Sequence, residues 1–110
     1  MTNRELLELA AKAAGLTPIA YFHAEESEHL LEVRPRQENV YWAPLDDDGD
    51  AMRLAAALSI SLRFEDIEKT VEARHPQTSY GQFEEYGTDK NKAVRRAIML
   101  AAAEIGKAMP

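Results

Sequence analysis

The sequence of 110 residues predicts a single α+β domain, with helices packed on a small, mainly antiparallel sheet in the order α-β-β-α-β-β-β-α. Apolar residues recur at helical spacing near the start, after residue 46 and from about residue 89. Between the last two of these stretches, Ser59–Phe64 alternates polar and apolar like a half-buried strand. Turn formers such as Pro35 and Pro76 break the remainder into short segments, with no internal repeat and no low-complexity linker.

Each element has a local cause. Thr2 and Glu5 fit a capping box, and Leu6, Leu9, Ala10 and Ala13 share a helical face. Gly15 suits the left-handed position that ends this helix, whose roughly 12 residues need tertiary packing to persist. Pro18–His23 and His29–Arg34 are expected to pair as a hairpin across the polar link 24–28. Residues 34–39 are then a turn, because Pro35 cannot donate to a ladder. Pro44 holds Ala43 extended, and the acids at 46–48 and Asp50 stand where a helix N-terminus favours negative charge. The helix they open buries Ala51, Leu54, Ala55 and Leu58, with Arg53 off that stripe. In the strand Ser59–Phe64, Ile60, Leu62 and Phe64 are expected inside. Thr70–Arg74 and Thr78–Glu84 read as two more strands, joined by a turn at His75-Pro76-Gln77. Thr88 or Asp89 caps the last helix, which runs to about Ala108 with Val94, Ala97, Ile98, Ala101 and Ile105 as its core stripe.

Composition narrows function. With 45% apolar residues the chain has material for a real core. The absence of cysteine excludes disulfides, thiolate metal sites and cysteine nucleophiles, and fits a reducing cytoplasm. The charged start, Met1–Glu5, is not that of a secretory signal, and runs such as Ile98–Ala103 are too short to span a bilayer. The net charge of −6 is uneven: residues 25–50 hold nine acids against two arginines, while residues 90–110 hold five Lys/Arg against Glu104. An acidic face offered to a basic partner fits this pattern, and general nucleic-acid binding is disfavoured because phosphate is repelled.

Three blocks resemble a known family. Trp42-x-Pro44-Leu45-x-Asp47-Asp48-Gly49-Asp50-Ala51-x-Arg53-Leu54, followed by a strand, is similar to a block in small uncharacterised phage and prophage proteins that look like the phage ABA-sandwich domain group. Arg95–Ile98 with Ala101–Met109 resembles their C-terminal helix, and Glu5–Gly15 their first. Ala43 departs from the asparagine expected between Trp42 and Pro44, and the segment between hairpin and last helix fits poorly. The resemblance implies an α/β/α-type sandwich and a phage-encoded accessory protein in the host cytoplasm. It carries over no activity and no catalytic residue.

No constellation identifies a reaction. Asp46, Asp48 and Asp50 alternate like a calcium loop, but Gly49 falls at the fourth position and Ala57 stands where the closing glutamate belongs. His23 and His29 flank the hairpin link beside Glu25, Glu26 and Glu28, and with His75 they are the only imidazoles for a metal-dependent enzyme. Ser27, Ser59, Ser61 and Ser79 sit in no nucleophile elbow, and the isolated glycines form no phosphate loop. The leading expectation is a non-enzymatic module without cofactor, metal or catalytic residues, contacting a host or phage protein. Its surface would comprise Glu25, Glu26, Glu28, Trp42, Asp46, Asp47, Asp48 and Asp50, with Trp42 as core or interface anchor. The alternatives are nucleic-acid binding through residues 80–96, where Lys90, Lys92, Arg95 and Arg96 lie beside Tyr80, Phe83 and Tyr86, and a histidine-dependent metalloenzyme. A sheet covered on one face only would expose an apolar side and invite a homodimer.

Overall fold

In a computed structural model of the chain, the backbone is described for residues 1–23, 29–34, 42–78 and 81–110, and the side chains for these except 19–20, 22–23 and 29–34. The elements are α1 (Asn3–Ala13), β1 (Thr17–His23), β2 (His29–Arg34), α2 (Asp48–Leu58), β3 (Ser61–Glu65), β4 (Thr70–Arg74), β5 (Gln82–Glu85) and α3 (Lys90–Ala108). The class is α+β, and the strands form two antiparallel sheets, β1-β2 and β3-β4-β5.

The helix ends follow the sequence closely. The Thr2 hydroxyl oxygen accepts a hydrogen bond from the Glu5 amide, and the Glu5 carboxylate accepts one from the Thr2 amide, completing the capping box. Gly15 takes φ +76 just beyond the cap of α1. Asp89, rather than Thr88, caps α3 by accepting from the Lys92 amide. Asp47 caps α2 by accepting from the Asp50 amide. Ser59 ends α2 in the left-handed region at φ 56 and Lys69 turns β3 into β4 at φ 54, both without glycine.

The layers are ordered by α3. It packs on β4 and β5 on one side and on α1 and α2 on another, while α1 also rests on the β1–β2 hairpin. The helices therefore lie between hairpin and sheet, and they meet the three-stranded sheet on a single face. Being covered on several sides, α3 buries Ala93, Met99, Ala102, Ala103 and Gly106 in addition to the expected Ala97, Ile98 and Ala101. For the same reason α1 buries Leu7 and Ala11 beside Leu6 and Ala10. Complete burial of Leu6, Leu7 and Ile98 contributes about 1.5–3 kcal/mol each. Small residues in the seam let the backbones approach closely. A Cβ on Gly106 would lie 2.8 Å from the Leu9 carbonyl carbon and nearer still to its oxygen.

The sheet register sorts the two faces. Leu62 pairs with Ala73 and Phe64 with Val71, and Val71 and Ala73 are wholly buried beneath the helices. Arg63, Glu72 and Phe83 form a row across the opposite face. That face is largely charged, not apolar, so it gives no reason for face-to-face pairing. Glu72 is nevertheless buried, its Oε2 accepting from Arg74 Nη2 at 3.1 Å. It has room because Gly81 opposes it: a Cβ there would sit 2.6 Å from the Glu72 carboxyl carbon.

Three expectations are corrected. The strand expected over Ser59–Phe64 is Ser61–Glu65, because the left-handed Ser59 caps α2 and Ile60 links the two elements. The strand expected over Thr78–Glu84 is Gln82–Glu85, with residues 79–80 outside the described set. Phe64, expected inside, is 47% exposed because β3 is the sheet edge and α3 reaches only β4 and β5 closely. The hairpin link 24–28 and most of the turn expected at 34–39 lie outside the described residues.

Candidate interaction surface

The acidic segment 46–50 is built by the turn before α2. Pro44 starts it, and the amides of Asp46 and Asp47 both donate to the Ala43 carbonyl. From this turn the four aspartates diverge. Asp50 points inward and is 8% exposed. Its Oδ2 accepts from the Ala43 amide at 3.0 Å, and its Oδ1 accepts from Arg53 Nη2 at 2.7 Å. A carboxylate so engaged fastens the turn to α2. Asp47 is the helix cap, with Arg53 3.7 Å away. Asp48 reaches α3, accepting from Arg95 at 2.6 Å and from Asn91 at 3.2 Å. Arg95 also donates from Nε to the Leu45 carbonyl, so one guanidinium joins α3 to the turn on both sides. Asp46, Asp47 and Asp48 remain exposed to a partner.

Asp48 also stands on the rim of a groove of about 500 Å³ between α2, β3 and the first turns of α3. Ala51, Leu62, Val94 and Ile98 form an apolar floor, flanked by Met52 and Phe64. Met52, 54% exposed, and Phe64 keep much of their apolar surface in water. At the α3 end, Lys90 Nζ lies 4.6 Å from the Tyr86 ring centre and 5.0 Å from that of Phe64, with Asp66 3.6 Å away. Tyr86 donates to Asp66 at 3.0 Å, and desolvation, followed by this hydrogen bond, raises its phenol above the ordinary value. The groove is therefore apolar at its centre, with the Asp48–Arg95 ion pair on its rim and Lys90 set among Phe64, Tyr86 and Asp66 at the start of α3.

The remaining candidates separate from this site. Trp42 is half-buried and packs against the core, which is the core-anchor role of the two expected of it. Glu25, Glu26 and Glu28 lie outside the described residues. Of the basic residues in 80–96, Arg95 is held by Asp48, Lys90 by Asp66, and Arg96 by Glu84 at 3.6 Å and Asn3 at 3.2 Å. These three carry an internal counter-charge or acceptor, Lys92 is exposed, and Tyr80 lies outside the described set. His23 and His29 are register partners closing the hairpin, but their side chains are not described. His75 accepts at Nδ1 from the Gln77 amide and shapes the β4–β5 turn. Among the described residues no three His, Asp or Glu side chains come together as metal ligands, and no helix is long and apolar enough to cross a membrane.

The groove escaped sequence reasoning because its parts come from three elements. The only signal was Phe64, an aromatic in a short strand whose edge position the alternation does not reveal. Comparison of the chain with family models, curated proteins and solved structures gave no match.

Proposed function

We propose that this chain is a non-enzymatic protein-interaction module, and that its contact surface is the groove between α2, β3 and α3 together with the neighbouring exposed aspartates 46–48. The observation that carries the reading is the placement of half-exposed Met52 and Phe64 over an apolar floor, beside exposed Asp46, Asp47 and Asp48. A large apolar side chain entering the groove releases water from that floor, and basic residues alongside it meet the aspartates. The fitting partner is a protein segment that combines one or two bulky apolar residues with lysine or arginine. An accessory role in a phage-infected cell, implied by the resemblance of Trp42–Leu54, suits such a module.

The test is capture of partners from host lysate, with and without phage, by the tagged protein and by Met52→Asp and Asp46→Lys variants. A partner held at low salt, weakened at high salt and lost with both variants is the expected result. A partner held equally by Met52→Asp, or unaffected by salt, would refute the groove as its site.

A further inference from the structure

The three-stranded sheet has an open side at β3: its order is β3-β4-β5, and among the described residues no strand pairs with the outer edge of β3. An open edge presents unpaired N–H and C=O groups and is a template for another strand. Proteins commonly blunt such edges with a short strand, charged side chains, proline or a bulge, and β3 is short and carries Arg63 and Glu65. Here β3 is Ser-Leu-Arg-Phe-Glu, pairing with β4 in unbroken register and without proline. The exposed apolar residues gather at one end of it, with Phe64 at 47% and Ile67, just beyond, at 89%.

We propose that β3 is the seam of a homodimer, in which two copies join edge to edge in antiparallel register about Phe64. The sequence of β3 selects this register. Cross-strand neighbours must share a sheet face, so a two-fold axis passes through a residue and not between two. Centred on Arg63, the pairing places two arginines directly opposite, which is repulsive. Centred on Leu62, it drives the pairing back toward Ser59, where α2 ends, and leaves Ile67 outside. Centred on Phe64, it sets Phe64 against Phe64 on the helix-covered face and Arg63 against Glu65 twice on the outer face, two opposite-charge pairs by symmetry. The two sheets then become one of six strands, and the two grooves meet across the phenylalanine pair. The seam does not depend on the groove's binding a partner, and Met52, the variant site that tests the groove, stands apart from the edge.

Sedimentation equilibrium at rising protein concentration tests the assembly, and cysteine cross-linking tests the register. The chain has no cysteine, so one introduced thiol reports alone. Wild-type protein is expected to shift from monomer to dimer at micromolar concentrations. Phe64→Cys is expected to form an intermolecular disulfide on the order of tenfold or more faster than Ile67→Cys, because only residue 64 faces its own copy. Ile67 is the more exposed of the two, so chance collision would reverse that order. Glu65→Lys places lysine against Arg63 at both ends and is expected to leave a folded monomer; within its own chain Glu65 pairs in register with Thr70 and accepts from the Ile67 amide at 3.2 Å in an exposed turn. A wild-type monomer at high micromolar concentration overturns the proposal. So does a dimer that survives Glu65→Lys or cross-links faster through Ile67→Cys.

Discussion

Replacing Gly106 by alanine tests whether α1 and α3 touch backbone to backbone. The added Cβ would fall 2.8 Å from the Leu9 carbonyl carbon and nearer to its oxygen, inside any ordinary contact distance. A flexible side chain would swing aside, but the obstacle here is helical backbone. The change therefore forces α1 and α3 apart or unwinds the last turn of α3. Separation loosens the packing around Leu6, Ala10, Ala102 and Ala103, which are buried in the same core. Overpacking of this kind costs about 3 kcal/mol, the upper part of its usual range, because the backbone cannot repack by a rotamer change. Alanine's better helix propensity offsets about 1 kcal/mol. The net loss of about 2 kcal/mol lowers the melting temperature by roughly 10 °C for a domain of this size. Thermal and urea unfolding followed by circular dichroism would measure it, with exposed Lys107→Ala as a control expected to stay within about 0.5 kcal/mol of wild type. A Gly106→Ala protein as stable as wild type, or more stable, would refute the close approach of the two helices.

Asp50→Ala leaves the Ala43 amide without its acceptor and Arg53 without its nearest anion, and should lower the urea-derived stability by about 2 kcal/mol; an unchanged midpoint would contradict the inward placement of Asp50. Ser59→Gly relieves a left-handed conformation and should stabilise by about 1 kcal/mol, read as a higher melting temperature. The Thr2 side chain and then the Thr2 backbone, both hydrogen-bonded to Glu5, hold that carboxyl below the usual glutamate value. A depressed folded pKa means that this contribution is complete above the ordinary glutamate pKa and is lost as pH falls through the lowered value. Carboxyl carbon NMR should show Glu5 titrating below free glutamate and rising toward it in Thr2→Ala; titration at or above the free value would count against the capping box.

The sequence reveals what neighbours along the chain decide. Thr2 with Glu5, Gly15, and Asp89 before a helical period are local signals, and each element end they predict is found. Charge counting is a weaker guide, because an acidic run does not disclose the direction of each carboxylate. Asp50 and Asp47 act on their own turn and helix, and Asp48 reaches an arginine that lies 47 residues along the chain. A single stripe understates burial where one helix serves two neighbours: it predicts Ala97 and Ala101, but Ala102 and Gly106 are buried because α1 lies on another side of α3. Alternation placed Phe64 on the correct face and could not show that its strand stands at the sheet edge.

The central position of α3 also bears on how the chain is made. A ribosome delivers α1, the hairpin, α2 and β3–β5 before α3, yet α3 is the surface on which α1, α2, β4 and β5 meet. Until it emerges, Leu6, Leu7 and Val71 lack the cover that α3 gives their shared core. Completing the fold closes contacts across much of the chain, such as Asn3 with Arg96 and Lys12 with Met109. Closure over such separations is slow. A nascent chain stalled before α3 displays its apolar faces to chaperones and proteases for as long as α3 is missing.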